Sequence, residues 1–323
     1  MVVGALGLGF FPGCRTPPAQ TAAPAPAPLA GAARLGDEIM VAGQWFHTGT
    51  RVLTWQDAGG YDGYRDPRPV PAPNLARLAP PYTARALAVP PKDKGPPNVA
   101  TLQQNIDQFV LHYDGCGLSE ICFAVLQRRG LSVHFLLDVD GTVYQTLDLQ
   151  ERAWHATTSN DRGIGIEIAN IGAYAPGDTK VFSEWYERTI AGQVRLKYPA
   201  TAGATKIHTP NFTGRPLRPD AVRGVVQGKA LEQYDLTPGQ YAALIKLTAA
   251  LCRVFPLINC DCPRDAAGQP LRQKLPDAVL AKYRGLLGHY HIQENKIDPG
   301  PALQWDLLVK GARRLNPEAA SPK

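Results

Sequence analysis

A chain of 323 residues with 44% hydrophobic and 19% charged residues has ample length to bury one large core or two modest ones. Its net charge of +6 is scattered, without the Lys/Arg stripe or interleaved aromatics of a nucleic-acid binder, so nucleic acid is excluded as the expected partner and an anionic polymer fits better. Thirty prolines announce long non-repetitive stretches.

Residues 1–14 form an apolar run, MVVGALGLGFFPGC, too short to span a bilayer and followed at once by polar, Pro-rich sequence. The run is similar to the hydrophobic region of a bacterial secretion signal, with Cys14 as the lipidated cysteine of a membrane-anchored lipoprotein. Residues 15–35 are an Ala/Pro-rich linker that cannot bury a core and reads as a semi-extended tether. Residues 36–100 read as an irregular N-terminal extension, with strand-like pieces at Ile39 to Val41 and Arg51 to Trp55. The stretch from Gly59 to Tyr64 is a turn with aromatic anchors.

The main domain spans 101–315, with an insertion at about 171–235 and a tail at 316–323. Asp107 to Asp114 has the continuous apolar run of a buried strand that delivers His112 at its C-terminal end, where open α/β sheets present side chains to a site. Leu118 to Arg129 has a helical apolar face, with Ser119 as its cap and Gly130 as its stop. Ser132 to Asp140 predicts a strand, and Asp140-Gly141 a two-residue hairpin turn into Thr142 to Gln145. Gly163 to Asn170 is a buried strand carrying one carboxylate. An unpaired buried Glu167 would cost several kcal/mol, so it needs a partner, a metal-bound water or a raised pKa.

In the insertion a helix is expected over Trp185 to Lys197, and Pro199 to Pro219 is a loop with a surface His208. Thr237, Pro238 and Gln240 then form a capping box that opens a long amphipathic helix, which Pro256 ends. A final helix is expected over Ala302 to Arg314.

Between these helices lies GHYHIQENKIDPGP, Gly288 to Pro301. Imidazole nitrogen and carboxylate oxygen suit zinc, and a catalytic zinc site takes three protein ligands and keeps a fourth position open. His289 and Asp298 supply two candidates and Lys296 adds a positive charge, while the third ligand must come from elsewhere. His112 qualifies only by partnership, and His291 competes with His289.

In chain order, the strand with His112, then Val133-His134-Phe135, Arg152-Ala153-Trp154-His155-Ala156, Asn160-Asp161, Ile164-Gly165-Ile166-Glu167, a long capped helix, Gly288-His289 and Lys296 to Pro301 resemble the type 2 N-acetylmuramoyl-L-alanine amidases. These belong to the peptidoglycan recognition protein superfamily. The resemblance implies an α/β fold, a central mixed β-sheet flanked by helices. It implies Zn2+ held by His112, His289 and Asp298, with Glu167 activating the water and Lys296 stabilising the oxyanion. It further implies substrate contacts at Trp154, His155 and Asn160, and a Cys116–Cys122 disulfide.

The expected substrate is peptidoglycan or a muropeptide, cut at the amide between the lactyl group of N-acetylmuramic acid and L-alanine, by a monomer in the cell envelope or secreted. Six cysteines agree with export and place a second bridge among Cys252, Cys260 and Cys262. A catalytically silent muropeptide-binding module and a zinc hydrolase of another amide are the alternatives. Retention of His112, His289, Asp298, Glu167 and Lys296 together argues against the silent module. The chain departs from the family pattern with Val133 in place of a tyrosine, Thr157 in place of a glycine, His291 in place of an aspartate, and a longer insertion.

Overall fold

The computed structural model describes residues 34–65, 82–178, 180–202 and 205–316, so Cys14 and most of the Ala/Pro linker lie outside the described residues. In chain order the strands are β1 (Glu38–Val41), β2 (Gln44–His47), β3 (Val52–Thr54), β4 (Tyr82–Ala84), β5 (Gln108–Tyr113), β6 (Phe135–Leu137), β7 (Val143–Gln145), β8 (Glu151–Ala153), β9 (Gly163–Ile168), β10 (Tyr186–Arg188), β11 (Val194–Leu196), β12 (Val222–Val226), β13 (Lys229–Gln233) and β14 (Gly285–Gly288). The helices are α1 (Val99–Gln103), α2 (Ser119–Arg128), α3 (Lys180–Trp185), α4 (Pro238–Val254), α5 (Asp277–Leu280) and α6 (Trp305–Leu315). No described helix is long and apolar enough to cross a membrane.

Six strands form one mixed sheet in the order β14-β5-β9-β6-β7-β3. All neighbours run parallel except the β6–β7 hairpin, which is antiparallel. Side chains alternate across a strand, and one face carries Phe109, Leu111, Ile164, Ile166, Phe135, Leu137 and Val143 into the main core. Helix α4 covers that face with Tyr241, Leu244, Leu247 and Leu251, and α6 packs against α4. The two helices approach closely because a Cβ at Gly311 would sit only 2.7 Å from the Ile245 side chain. The opposite face carries Leu136 and Tyr144 under α2, and it is on this face that the polar residues gather.

The segment read as an extension takes part in the sheet itself. β3 is an edge strand beside β7, and Ile39, Val41 and Phe46 of the β1–β2 hairpin lie in the main core. In the insertion, the helix expected over Trp185 to Lys197 is instead a β10–β11 hairpin after the short α3, because Gly192 at φ +78° turns the chain back. The Thr237 capping box forms as expected, with Thr237 Oγ1 accepting from Gln240 N at 3.1 Å and Gln240 Oε1 from Thr237 N at 2.9 Å.

Two local expectations change. The β6–β7 turn holds three residues between Asp138 and Thr142 rather than two, with Gly141 left-handed at φ +85°. Ser119 is the first helical residue of α2 and caps nothing; Asp138 Oδ1 accepts from Ser119 N at 3.5 Å and from Val139 N at 2.8 Å.

Burial pushes the Asp138 carboxyl up to about 7, and Asp140 and Glu120 add repulsion against the opposing pull of the Val139 and Ser119 amides. The unfolded carboxyl ionises near 3.8, so the folded state holds the extra proton and stability falls as pH rises from about 4 to about 7. Asp138→Asn keeps the Oδ1 acceptor and removes the ionisation. Thermal unfolding is expected to show the variant near wild type at pH 4 and several degrees more stable at pH 8. An equal shift at both pH values would assign the effect to packing.

Candidate active site

Parallel pairing of β5 with β9 sets His112 directly across from Glu167 and Val110 across from Gly165, all on the face opposite the main core. β14 pairs with β5 through Gly288 and Leu111, so the chain leaves the sheet beside His112. A single 3-10 turn, His289–His291, follows. The loop then returns, with Tyr290 N donating to Asp298 O at 3.1 Å. A Cβ at Gly288 would stand 2.6 Å from Pro299 Cδ, so the glycine before His289 is what lets the Pro-Gly-Pro exit close over it.

Three ligand atoms converge there. Nδ1 of His112 lies 2.9 Å from Asp298 Oδ2, Nδ1 of His289 lies 3.0 Å from the same oxygen, and the two nitrogens are 3.0 Å apart. Atoms bound to one tetrahedral zinc at about 2.0–2.1 Å stand about 3.3 Å from each other, so this triangle fits a zinc ion after a small expansion.

The protonation states suit it too. Burial, with the nearby His289, pushes His112 down to about 4, so its imidazole is neutral at pH 7. Burial opposes ionisation of Asp298, yet the hydrogen bonds with His112 and His289 overcome it and hold the carboxyl well below its usual range. With each Nδ1 given over to a metal instead of to the Asp298 hydrogen bond, the single ring proton moves to the far nitrogen, and these are also tied: His289 Nε2 donates to Gln293 Oε1 at 2.7 Å, and His112 Nε2 lies 3.1 Å from His155 Nδ1.

With Nδ1 of His112 among the ligand atoms, its proton sits on Nε2 and is donated to His155 Nδ1. His155 then carries its own proton on Nε2, a buried atom with no hydrogen-bond partner. Glu167 Oε2 is likewise buried and without a partner. Burial raises the Glu167 pKa well above the usual range, helped by Asp298 and Asp114, while the positive charge of Lys296 pulls it back. An unpaired donor and an unpaired acceptor thus flank the ligand triangle.

Among the other expected residues, His291 is packed rather than ligating. Its Nδ1 accepts from Gly288 N at 2.8 Å and its Nε2 donates to Leu271 O at 2.9 Å. Trp154 is the exposed residue beside His155, 36% accessible as a whole. Asn160 is buried, and its Oδ1 accepts from His155 N at 3.1 Å and Ala156 N at 2.6 Å, which shapes the loop that carries His155. The His155 ring lies flat on β9 because residue 165 is glycine; a Cβ there would sit 2.6 Å from the imidazole. A second Asp/Glu/His group, Asp37, Glu38 and His47, has its carboxylates committed to backbone amides and to Arg34 and His47.

Sequence reasoning missed three supporting residues. Gln293 is four positions beyond His289, a spacing visible in the sequence. Asp114 Oδ1 accepts from the amides of Cys116, Gly117 and Asn170, tying the exit of β5 to that of β9. Arg85, from the Pro-rich stretch, is buried and donates to the carbonyls of Leu149, Asn160, Asp161 and Gly163. Nothing local in the sequence marks it.

The profile of one family, described as N-acetylmuramoyl-L-alanine amidase, matches residues 102–301. The chain, an α/β protein with a two-histidine, one-carboxylate centre, belongs to this N-acetylmuramoyl-L-alanine amidase family. No match was found among curated proteins. Among solved structures the chain aligns with AmpD at 18% identity and a TM-score of 0.33, over 72% of this chain and 90% of that one. It aligns with the amidase AmiD from E. coli, solved in complex with anhydro-N-acetylmuramic acid-L-Ala-D-gamma-Glu-L-Lys, at 19% identity and 0.36, over 64% and 57%. It also aligns with the Drosophila peptidoglycan recognition protein SA at 26% identity and 0.19, over 24% and 54%.

Thr157 is left-handed at φ +45°. A β-branched residue there is strained by about 1–2 kcal/mol. Thr157→Gly is expected to relieve more than the added chain entropy costs and to raise Tm by a degree or more. A fall in Tm would mean that the threonine side chain contributes more than its backbone loses.

Proposed function

We propose that the chain hydrolyses the amide between the lactyl group of N-acetylmuramic acid and L-alanine, in peptidoglycan or soluble muropeptides, with zinc held by His112, His289 and Asp298. The observation that carries this reading is the convergence of the three ligand atoms beside a Glu167 carboxylate oxygen that has no partner. Bound there, zinc supplies Lewis acidity toward water and carbonyl oxygen. Glu167 removes a proton from the attacking water and delivers it to the departing amine nitrogen, a task suited to a carboxyl whose pKa lies above the ordinary range. Lys296 places positive charge where the carbonyl oxygen becomes negative, and its field already reaches both His112 and Glu167.

The free Nε2 of His155 donates to an acceptor on the substrate, and the exposed Trp154 ring offers an apolar surface next to it. Asn160 acts through the loop rather than by touching substrate. A binding-only module has no need of Glu167 and Lys296 beside a full ligand set, which favours the enzyme. The same reading puts the chain in the cell envelope, tethered through the Ala/Pro segment and Cys14. Cys116 and Cys122 are free thiols that shift each other's ionisation, Cys116 down and Cys122 up, as Cys260 and Cys252 do in the same sense, and in an oxidising compartment each pair closes to a disulfide.

Elemental analysis is expected to find one zinc per chain, lost in His112→Ala and Asp298→Ala. Digestion of purified peptidoglycan should release stem peptides with a free L-alanine amino terminus and glycan carrying a free lactyl carboxylate, read by mass spectrometry. Glu167→Ala should keep zinc and lose about 10²- to 10⁴-fold in rate. Cuts only between amino acids would replace this reading with another amide hydrolase, and no cut with zinc bound would replace it with a binding module. Peptide mapping of exported protein without reductant should find Cys116–Cys122 and Cys252–Cys260 bridged and Cys262 as a thiol; any bridge to Cys262 would overturn this pairing.

A further inference from the structure

The insertion ends in the β12–β13 hairpin, and we infer that this hairpin is a clamp that sets the geometry of the ligand loop, with Gln227 and Gln233 as positioning residues. The hairpin turns through Gln227 and Gly228, consecutive left-handed residues at φ +52° and +72° between the paired Val226 and Lys229. That turn delivers the Gln227 amide to one stem of the loop. Its Nε2 donates to Tyr290 O at 2.8 Å and Gln293 O at 3.0 Å, while its Oε1 accepts from Lys274 N at 3.0 Å. Tyr290 follows His289 directly, and Gln293 holds the far nitrogen of His289.

The other end of the hairpin holds the other stem. Gln233 is only 1% exposed; its Nε2 donates to Pro299 O at 3.2 Å and Asn170 Oδ1 at 3.1 Å, and its Oε1 accepts from Ala302 N at 3.0 Å. Pro299 follows Asp298, so each glutamine grips the loop next to a ligand. The fit is close: a Cβ at Gly300 would lie 2.1 Å from Gln233 Oε1, and one at Gly224 would lie 2.7 Å from Pro301 Cβ.

The reason for such a clamp is physical. His289 and Asp298 are nine positions apart in a loop with one short turn of regular structure, yet their ligand atoms stand 3.0 Å apart. Holding two mutually attracting groups in a loop costs conformational entropy. A paired hairpin has a fixed spacing along its strands, so two amides on it fix both stems at once. Asn170, which also accepts from Gln233, extends the grip to the end of the strand that carries Glu167.

The metal part of this inference rests on the zinc reading above; the holding of the loop does not. In the full chain, Gln233→Ala and Gln227→Asn are compared with Lys229→Ala, an exposed change on the same hairpin. Asparagine tolerates the left-handed turn but withdraws the amide by one methylene. Zinc affinity is measured by competition with a chelator, and hydrogen exchange at the Tyr290, Ile292, Gly300 and Ala302 amides is followed in metal-free protein.

Each glutamine variant is expected to bind zinc about 10- to 100-fold more weakly and to exchange faster at these amides, with Lys229→Ala like wild type in both. Faster exchange in the glutamine variants of a chain whose wild type binds no zinc would support the clamp and overturn the zinc reading. Wild-type affinity and exchange in both glutamine variants would overturn the clamp and leave the zinc reading standing. An equal loss in Lys229→Ala would overturn the roles of the two glutamines. Should Gln233→Ala fail to fold, Gln227→Asn at the half-buried turn decides the matter alone.

Discussion

Polar ligand atoms cannot be brought together inside a protein at no cost. Nδ1 of His112, Nδ1 of His289 and Oδ2 of Asp298 meet within about 3 Å in a place largely closed to water, and each would lose solvation without full replacement if the others were absent. Burial lowers the His112 pKa, whereas hydrogen bonding outweighs burial at Asp298, so the centre is made of a neutral imidazole facing a carboxylate kept charged. The rest of the architecture serves to hold that arrangement. The α4 face of the sheet supplies the apolar burial that fixes β14, β5 and β9 side by side, and the opposite face at their ends carries the polar groups.

Close approach is the second theme, and glycine permits it. At residue 165 the missing Cβ lets His155 rest on the sheet and reach His112. At residue 288 it lets the returning loop pass over the strand end. His291 then becomes a structural neighbour of His289: with one nitrogen on Gly288 N and the other on Leu271 O, it has no lone pair left for a metal.

Segments outside the sheet's centre reach back to the same place. Arg85 buries a guanidinium, which only several carbonyl acceptors can compensate, and those acceptors are Leu149 ahead of β8 together with Asn160, Asp161 and Gly163 at the entry of β9. The insertion contributes Gln227 and Gln233 to the loop on the other side. Two peripheral regions of irregular sequence therefore reach segments that carry the residues of one centre.

What the amino-acid sequence determined by itself was local in origin. The continuous apolar runs set β5 and β9, the Thr237–Gln240 box set the start of α4, and the residue types at 112, 167, 289 and 298 marked the candidate site, because each depends on residues a few positions apart or on side-chain type. The β10–β11 hairpin was not legible, since its residues fit a helix until Gly192 reverses the chain against the insertion's own small core. Nor were Arg85, Gln227 and Gln233, or the spending of Asn160 on its own loop. Those depend on hydrogen bonds between parts of the chain brought together only by the packed sheet, and a contact between distant positions leaves no periodic trace in a single sequence.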